Sequence, residues 1–364
     1  MESDVVVIGA GPGGSASAIA LRRRGFRVAV LEKRFMPRGK VCGEMVAPLG
    51  VRELERLGVL PKIERAGAGR VKRVVFYSPG GARSEIPFPR GEYGIGMSRE
   101  RLDAILFEEA REQGAHGIEG FRVENVGREG GTGRFLVEGS YCGTGKRGMF
   151  RPEAVINASG LKGIGKKDKE CREFLYAFKT HLHGITCGDS AELFFYEGGY
   201  GGLVDIEDGM VNLAFQIRKD QVSLMNGHPL DILKSVLPPR HPIREKLSKA
   251  VPAGEWEAMG NVFVRKRGSF SGVWNIGDAS GIVDPFTGLG ISLALQGGRY
   301  IGERLEAGDA RNTYDVKRSL NRTRFMTAGV LRKVLFRPRV CNMIMKQTGF
   351  SSMLGMIVLG LLHT

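Results

Sequence analysis

Val5-Val6-Val7-Ile8-Gly9-Ala10-Gly11-Pro12-Gly13-Gly14 opens the chain, then Ser15 to Arg24, Gly25, the run Arg27 to Leu31, and Glu32. Four β-branched residues in a row predict a strand buried on both faces. Ser15 to Arg24 is a small-residue stretch suited to a helix, which Gly25 ends, and Arg27 to Leu31 predicts a second strand. Strand, G-x-G-x-x-G, helix, strand and acid is the context in which that glycine string carries meaning. Gly9 permits the tight turn, Gly11 lets backbone approach a pyrophosphate, and Gly14 lets the helix pack on the strand. The helix N-terminus offers free N–H groups to phosphate, and Glu32 can accept both hydroxyl protons of an adenosine ribose. The sequence holds its own control in Gly143-Thr144-Gly145-Lys146-Arg147-Gly148. That string follows polar Ser140-Tyr141-Cys142 and precedes no helix, so it reads as a hairpin turn. A dinucleotide is expected at the first site alone.

Composition narrows the class. The chain has 364 residues, 54 Lys plus Arg against 39 Asp plus Glu (net +15), and 42% hydrophobic residues. Its 54 glycines are about twice the usual share of ~7%, yet no G-X-Y period exists and Pro numbers only 15. Collagen, linker and disordered tail are excluded, because so apolar a chain can bury a core. Five cysteines without a C-x-x-C pair argue against a disulfide framework and against zinc. His181 and His183 fall on one face of a predicted strand and read as strand polar residues, with no acidic partner spaced to join them. No metal is expected. No signal peptide is read before Val5, and the longest apolar run, Met353 to Leu362, is too short to span a membrane. The expected location is cytoplasmic, or peripheral on the inner face of the membrane.

A second constellation lies far downstream. Val273-Trp274-Asn275-Ile276-Gly277-Asp278-Ala279-Ser280-Gly281 is followed by Ile282-Val283-Asp284-Pro285-Phe286-Thr287-Gly288-Leu289-Gly290 and an apolar helix from Ile291 to about Leu305. Here the sequence resembles FAD-dependent oxidoreductases of the aromatic-hydroxylase type, and within them most closely the geranylgeranyl reductase family. The resemblance implies that Gly277 and Asp278 meet the ribityl chain or pyrophosphate. It places the Pro285-x-Thr-Gly288-x-Gly290 loop under the flavin ring. A helix N-terminus there would also stabilise the anion of reduced flavin.

Three further segments match. Arg99-Glu100-Arg101-Leu102-Asp103, on a helix closing with Ala110 and Gly114-Ala115, resembles the family's R-x-x-L-D helix, whose arginine touches FAD. Val155-Ile156-Asn157-Ala158-Ser159-Gly160 has the reductase form of a strand and loop that reads A-D-G in hydroxylases. Lys40-Val41-Cys42-Gly43 matches a K-x-C-G segment beside the flavin. Cys42 lies in sequence among Lys33, Arg34, Arg38 and Lys40, a setting that favours a polarised thiol unless it is buried apart from them. Cys42 and Tyr200 are the candidate catalytic residues, and Lys33 and Lys40 join the candidate FAD contacts. Tyr200 also suits a plain core aromatic. The family's Y-x-W-x-F-P segment is kept here only at Tyr200, since Gly202, Val204 and Asp205 replace the rest.

The expected fold is therefore α/β: a Rossmann-like FAD-binding domain, an antiparallel-sheet substrate domain and a C-terminal helical region. Residues 1–60, 93–165 and 262–306 are assigned to the first, 61–92 and 166–261 to the second, and 307–364 to the third. Ten Lys or Arg between Arg311 and Lys346 against Asp315, then an uncharged apolar tail, suit an anionic membrane surface or a phosphate-headed lipid. A solvated basic helical cap reads as well. Nucleic acid is not expected. The resemblance implies a reductase of C=C bonds in an isoprenoid-like lipid. An FAD monooxygenase, and a flavoprotein that only binds lipid or passes electrons, are the alternatives. With no second dinucleotide fingerprint, electrons are expected from transient NAD(P)H or from a reduced carrier protein.

Overall fold

A computed structural model describes residues 2–130, 133–161, 164, 175–223, 228–260, 272–306, 328–329, 331–332 and 335–346. The opening run forms strand Val5–Ile8, every residue buried, at the centre of a five-stranded parallel sheet. Val28–Leu31 flanks it on one side with His116–Ile118 beyond. Ala154–Asn157 and Trp274–Asn275 complete the other side. With parallel neighbours on both edges, helices on one face and a three-stranded antiparallel sheet on the other, this strand must be apolar throughout, as it is.

Helix Pro12–Arg23 packs on the sheet and against helix Gly290–Arg304. Gly298 and Gly302 make that approach possible. A Cβ on Gly298 would collide with the Gly13 carbonyl and come within 2.9 Å of Ala16 Cβ. Gly298→Ala is therefore expected to destabilise by about 1–3 kcal/mol through overpacking, reversing the gain of up to about 1 kcal/mol that the exchange gives in an open helix. A urea midpoint measures it, and an unchanged or raised midpoint would refute the packing argument.

The second G-x-G-x-x-G string lies at the hairpin joining Phe135–Tyr141 to Arg147–Phe150, in a three-stranded antiparallel sheet with Phe121–Arg128. The larger sheet has eight strands, running Val251–Pro252, Leu175–His183, Val211–Arg218, Gly199–Asp205, Ser190–Tyr196, Arg73–Tyr77 and Arg83–Pro87. Glu257–Gly260 pairs on Leu175–His183 as well. It is antiparallel except where Ser190–Tyr196 meets Arg73–Tyr77, a strand from an earlier segment, in parallel. A small sheet of Met45–Val46, Gly94–Gly96 and Gly69–Val71 sits directly after Cys42-Gly43-Glu44.

His241, 1% exposed, ties the eight-stranded sheet to helix Pro242–Ser248. Its Nδ1 accepts the Ile243 N–H at 3.2 Å, so Nε2 carries the proton and donates to the Ser78 carbonyl at 3.1 Å. Burial lowers its pKa, partly offset by the Ser78 bond. The unfolded chain thus binds this proton more readily, and the stabilisation, complete above about pH 6.5, is lost as pH falls through the window below it. Stability should drop by up to about 1.4 kcal/mol per pH unit there. His241→Gln should flatten that slope, and an unaltered slope would contradict the assignment.

Part of the C-terminal region lies outside the described residues, including the cations at 311, 317, 318, 322 and 324 and the tail 347–364. Helix Pro338–Lys346 buries Cys341 and Met345 against the large sheet. Arg332, one of the ten cations counted toward a basic surface, turns inward instead and pairs with buried Asp284 at 3.1 Å. No helix of the described residues is long and apolar enough to cross a membrane.

Candidate active site

The glycine loop is shaped by its neighbours. Gly9 sits at φ +101, and a Cβ there would lie 2.6 Å from the Ala158 carbonyl. A Cβ on Gly14 would fall on the Gly9 carbonyl. At Gly11 the space is open, with Arg38 Nη2 and Arg99 Nη2 the first atoms a Cβ would meet, at 3.6 and 3.8 Å. No side chain caps the helix that starts at Pro12, so its first N–H groups are left for another acceptor.

Glu32, at the end of its strand, is buried beside this loop. Its carboxylate accepts the Ala10 N–H at 2.9 Å and the Arg34 N–H at 3.1 Å, with Arg38 at 3.4 Å. Arg38 also reaches Asp103 at 3.1 Å, and Arg99 holds Asp103 through two hydrogen bonds of 2.8 and 2.6 Å. Burial opposes the Arg99 charge, but Asp103 and Cys42 outweigh it and its pKa is raised. Arg38 Nε is buried with no acceptor among the described residues. An open backbone cradle, an uncapped helix N-terminus and converging guanidinium groups are what an anionic pyrophosphate requires. These residues fit FAD.

Lys40 Nζ bonds Asp278 Oδ2 at 3.0 Å, joining the downstream constellation to the segment that carries Cys42. Gly277 stands at φ +58 and opens the turn that places Asp278. Pro285 is exposed at the start of the next turn, Gly288 adopts φ +66, and Gly290 begins the long helix. Lys33 is exposed just past the end of its strand, yet partial desolvation of its ammonium, with the nearby cations Arg34, Arg122 and Arg38, lowers its pKa against the pull of Glu32.

Cys42 is half-buried. The cation at its sulfur is Arg99, from a helix distant in sequence, rather than its sequence neighbours, because Lys40 is engaged by Asp278 and Arg38 by two acids. Its sulfur also accepts the Glu44 N–H at 3.4 Å, and Asn212 of the large sheet donates to its carbonyl at 3.2 Å. Tyr200 lies on the same sheet, packed with Phe195, Phe286 and Phe336, within electrostatic reach of Cys42, Asp284 and Arg332. Burial, with Asp284 adding, raises its pKa well above 10 and keeps it a neutral phenol. Its buried hydroxyl has no hydrogen-bond partner among the described residues. Left unsatisfied, such a group costs about 1–3 kcal/mol.

The sequence reading gave His181 no acidic partner. The fold supplies Glu44, whose carboxylate lies 2.8 Å from His181 Nε2. Glu44, Glu100 and His181 place ligand atoms within 4.8 Å of one another, yet the Lys179 ammonium occupies the cluster, 2.6 Å from Glu44, 3.0 Å from Glu257 and 3.5 Å from Glu100. Lys179, Glu44 and the Arg38–Asp103 pair were not singled out by sequence. Only Asp103, four residues after Arg99 on one helix face, left a readable signal.

Residues 2–172 match the model of an FAD binding domain. The chain is 30% identical over 326 residues to digeranylgeranylglycerophospholipid reductase 2 of Methanopyrus kandleri, covering 83% of this chain and 76% of that protein. It is 29% identical over 342 residues to menaquinone reductase of Mycolicibacterium smegmatis, covering 84% and 77%. A geranylgeranyl bacteriochlorophyll reductase-like structure from Thermoplasma acidophilum superposes with TM-score 0.74 at 20% identity, covering 95% of this chain and 91% of that one. Flavin-dependent halogenases and monooxygenases share the same fold.

Proposed function

The chain belongs to the geranylgeranyl reductase family of FAD-dependent oxidoreductases, and from that premise we propose that it saturates C=C bonds of a hydrophobic, isoprenoid-like lipid. The observation that carries the proposal is that Cys42 lies within electrostatic reach of both Arg99 and Tyr200, whose buried hydroxyl has no hydrogen-bond partner among the described residues and whose ring belongs to the apolar cluster with Phe286 and Leu289. FAD, once bound and reduced, supplies the hydride for one carbon of the double bond. Gly9, Gly11 and Gly14 give the backbone cradle, Glu32 holds the ribose, and Lys40 with Asp278 orients the middle of the cofactor.

Cys42 delivers the proton to the neighbouring carbon. The S–H bond breaks as the new C–H bond forms, its electron pair stays on sulfur, and solvent returns a proton to the thiolate afterwards. Arg99 and the Glu44 N–H are placed to stabilise that thiolate. Tyr200 donates its hydroxyl to a polar group of the substrate or to a water beside it. The apolar wall of Phe195, Phe286, Leu289 and Leu293 receives the lipid chain. Electrons reach the flavin from NAD(P)H or from a reduced carrier protein, and residues 311–364 draw the lipid from an anionic membrane surface.

Product mass is the test. Incubation with prenyl lipids and reductant should add two mass units per double bond reduced. A gain of sixteen, dependent on O₂, would replace the reductase by a monooxygenase, which the fold alone also accommodates.

A further inference from the structure

We propose that Glu44 is the positioning residue of the thiol, its buried carboxylate fixing both the backbone N–H that donates to the Cys42 sulfur and the start of the helix that carries Arg99. The inference rests on Cys42 being the proton donor. Glu44 is fully buried and adopts φ +55, a left-handed conformation that costs a glutamate free energy and persists only where surroundings impose it. In that conformation its own N–H points at Cys42 Sγ, 3.4 Å away, while its carbonyl accepts the Met97 N–H at 3.1 Å.

The side chain supplies the constraint. Glu44 Oε1 accepts the Arg99 N–H at 2.9 Å, setting the first turn of the helix that carries the guanidinium to the sulfur. The same oxygen pairs with Lys179 at 2.6 Å, and Oε2 takes His181 at 2.8 Å. Both partners lie on strand Leu175–His183, so the large sheet braces the loop that presents Cys42. One carboxylate thereby locks the backbone donor and steers the side-chain donor. A thiol that gives up a proton needs those donors held in advance, since they act on the thiolate it becomes.

Reach and charge separate in two variants. Glu44→Asp keeps the charge and tolerates a left-handed backbone, but the shorter arm no longer reaches Arg99 N–H and His181. Glu44→Gln keeps the length and the acceptor oxygen and loses the charge. Iodoacetamide labelling of substrate-free holoenzyme at pH 7, read at the Cys42 peptide with exposed Cys142 as internal reference, reports the sulfur without requiring turnover. Glu44→Asp should label Cys42 about tenfold more slowly than the unaltered protein, and Glu44→Gln within about threefold of it, because the thiolate is the form that reacts and only the shorter variant releases its donors. If neither variant slows, or Glu44→Gln slows as much as Glu44→Asp, the positioning role is overturned. Lipid turnover measured in parallel distinguishes the two readings. Ordered labelling rates with no lipid reduced would sink the reductase while leaving the positioning intact.

Discussion

Cys42→Ala should lower the rate of lipid reduction about 10²- to 10³-fold while leaving FAD bound. A positioned proton donor is worth about 10²–10⁴, and water or the neutral Tyr200 phenol can replace part of it. The variant removes one sulfur from a half-buried position, and none of the groups that fit the cofactor passes through it. Lys40 would still hold Asp278, Glu32 would still face the glycine loop, and Arg99 would still have Asp103. The flavin spectrum should therefore match that of the unaltered protein. Cys42→Ser should be no better than alanine, since an alcohol in the same place is a far weaker acid than a thiol. Rapid mixing of reduced protein with lipid under argon measures the step. An alanine variant within about threefold of the unaltered rate would return Cys42 to a packing role.

The second large effect is expected at Gly14. Its added methyl would fall on the Gly9 carbonyl and lie 3.3 Å from Ala158 Cβ, and Gly9 is itself held against the Ala158 backbone. Neither side can retreat, because strands Val5–Ile8 and Ala154–Asn157 are hydrogen-bonded along their length in a buried sheet. Relief must come from lifting the helix N-terminus away from the phosphate cradle. Losing even one N–H bond to a charged phosphate costs about 1.5–3 kcal/mol, on the order of 10² in affinity. Gly14→Ala should purify largely without yellow colour and bind added FAD about a hundredfold more weakly in a titration. Gly145→Asn, in the second glycine string, tests specificity. It sits at φ +68 on an open hairpin with nothing within 4 Å of its Cβ position, and its FAD affinity should be unchanged. Equal loss in both would mean that the first string has no special part in binding.

What could be read from sequence was what the chain writes locally. The Val5–Glu32 unit, the Gly277–Gly290 turns and the Arg99 helix each carry their chemistry within thirty residues, so spacing alone conveys geometry. Lys40 and Asp278 could be named separately, although their 3.0 Å contact is a product of the fold. The Glu44–Lys179–His181 cluster was not legible, because its acids and bases lie on segments more than a hundred residues apart. Nothing in the alternation of Leu175 to His183 says what its polar residues will meet. Arg332 misled for the complementary reason. A cation in a basic run looks solvated, yet buried Asp284 takes it inward. The parallel joint between Ser190–Tyr196 and Arg73–Tyr77 was hidden likewise, since alternation reports a strand's buried face and not its neighbour.

The proposed chemistry passes hydride and proton from this site to a carbon–carbon double bond. Its most direct test is one turnover of photoreduced holoenzyme, mixed under argon with a prenyl lipid while flavin absorbance is followed. The oxidised spectrum should return without O₂, one flavin reoxidised for each double bond lost. A flavin that stays reduced with every prenyl lipid offered, and reoxidises only when O₂ is admitted, would contradict it.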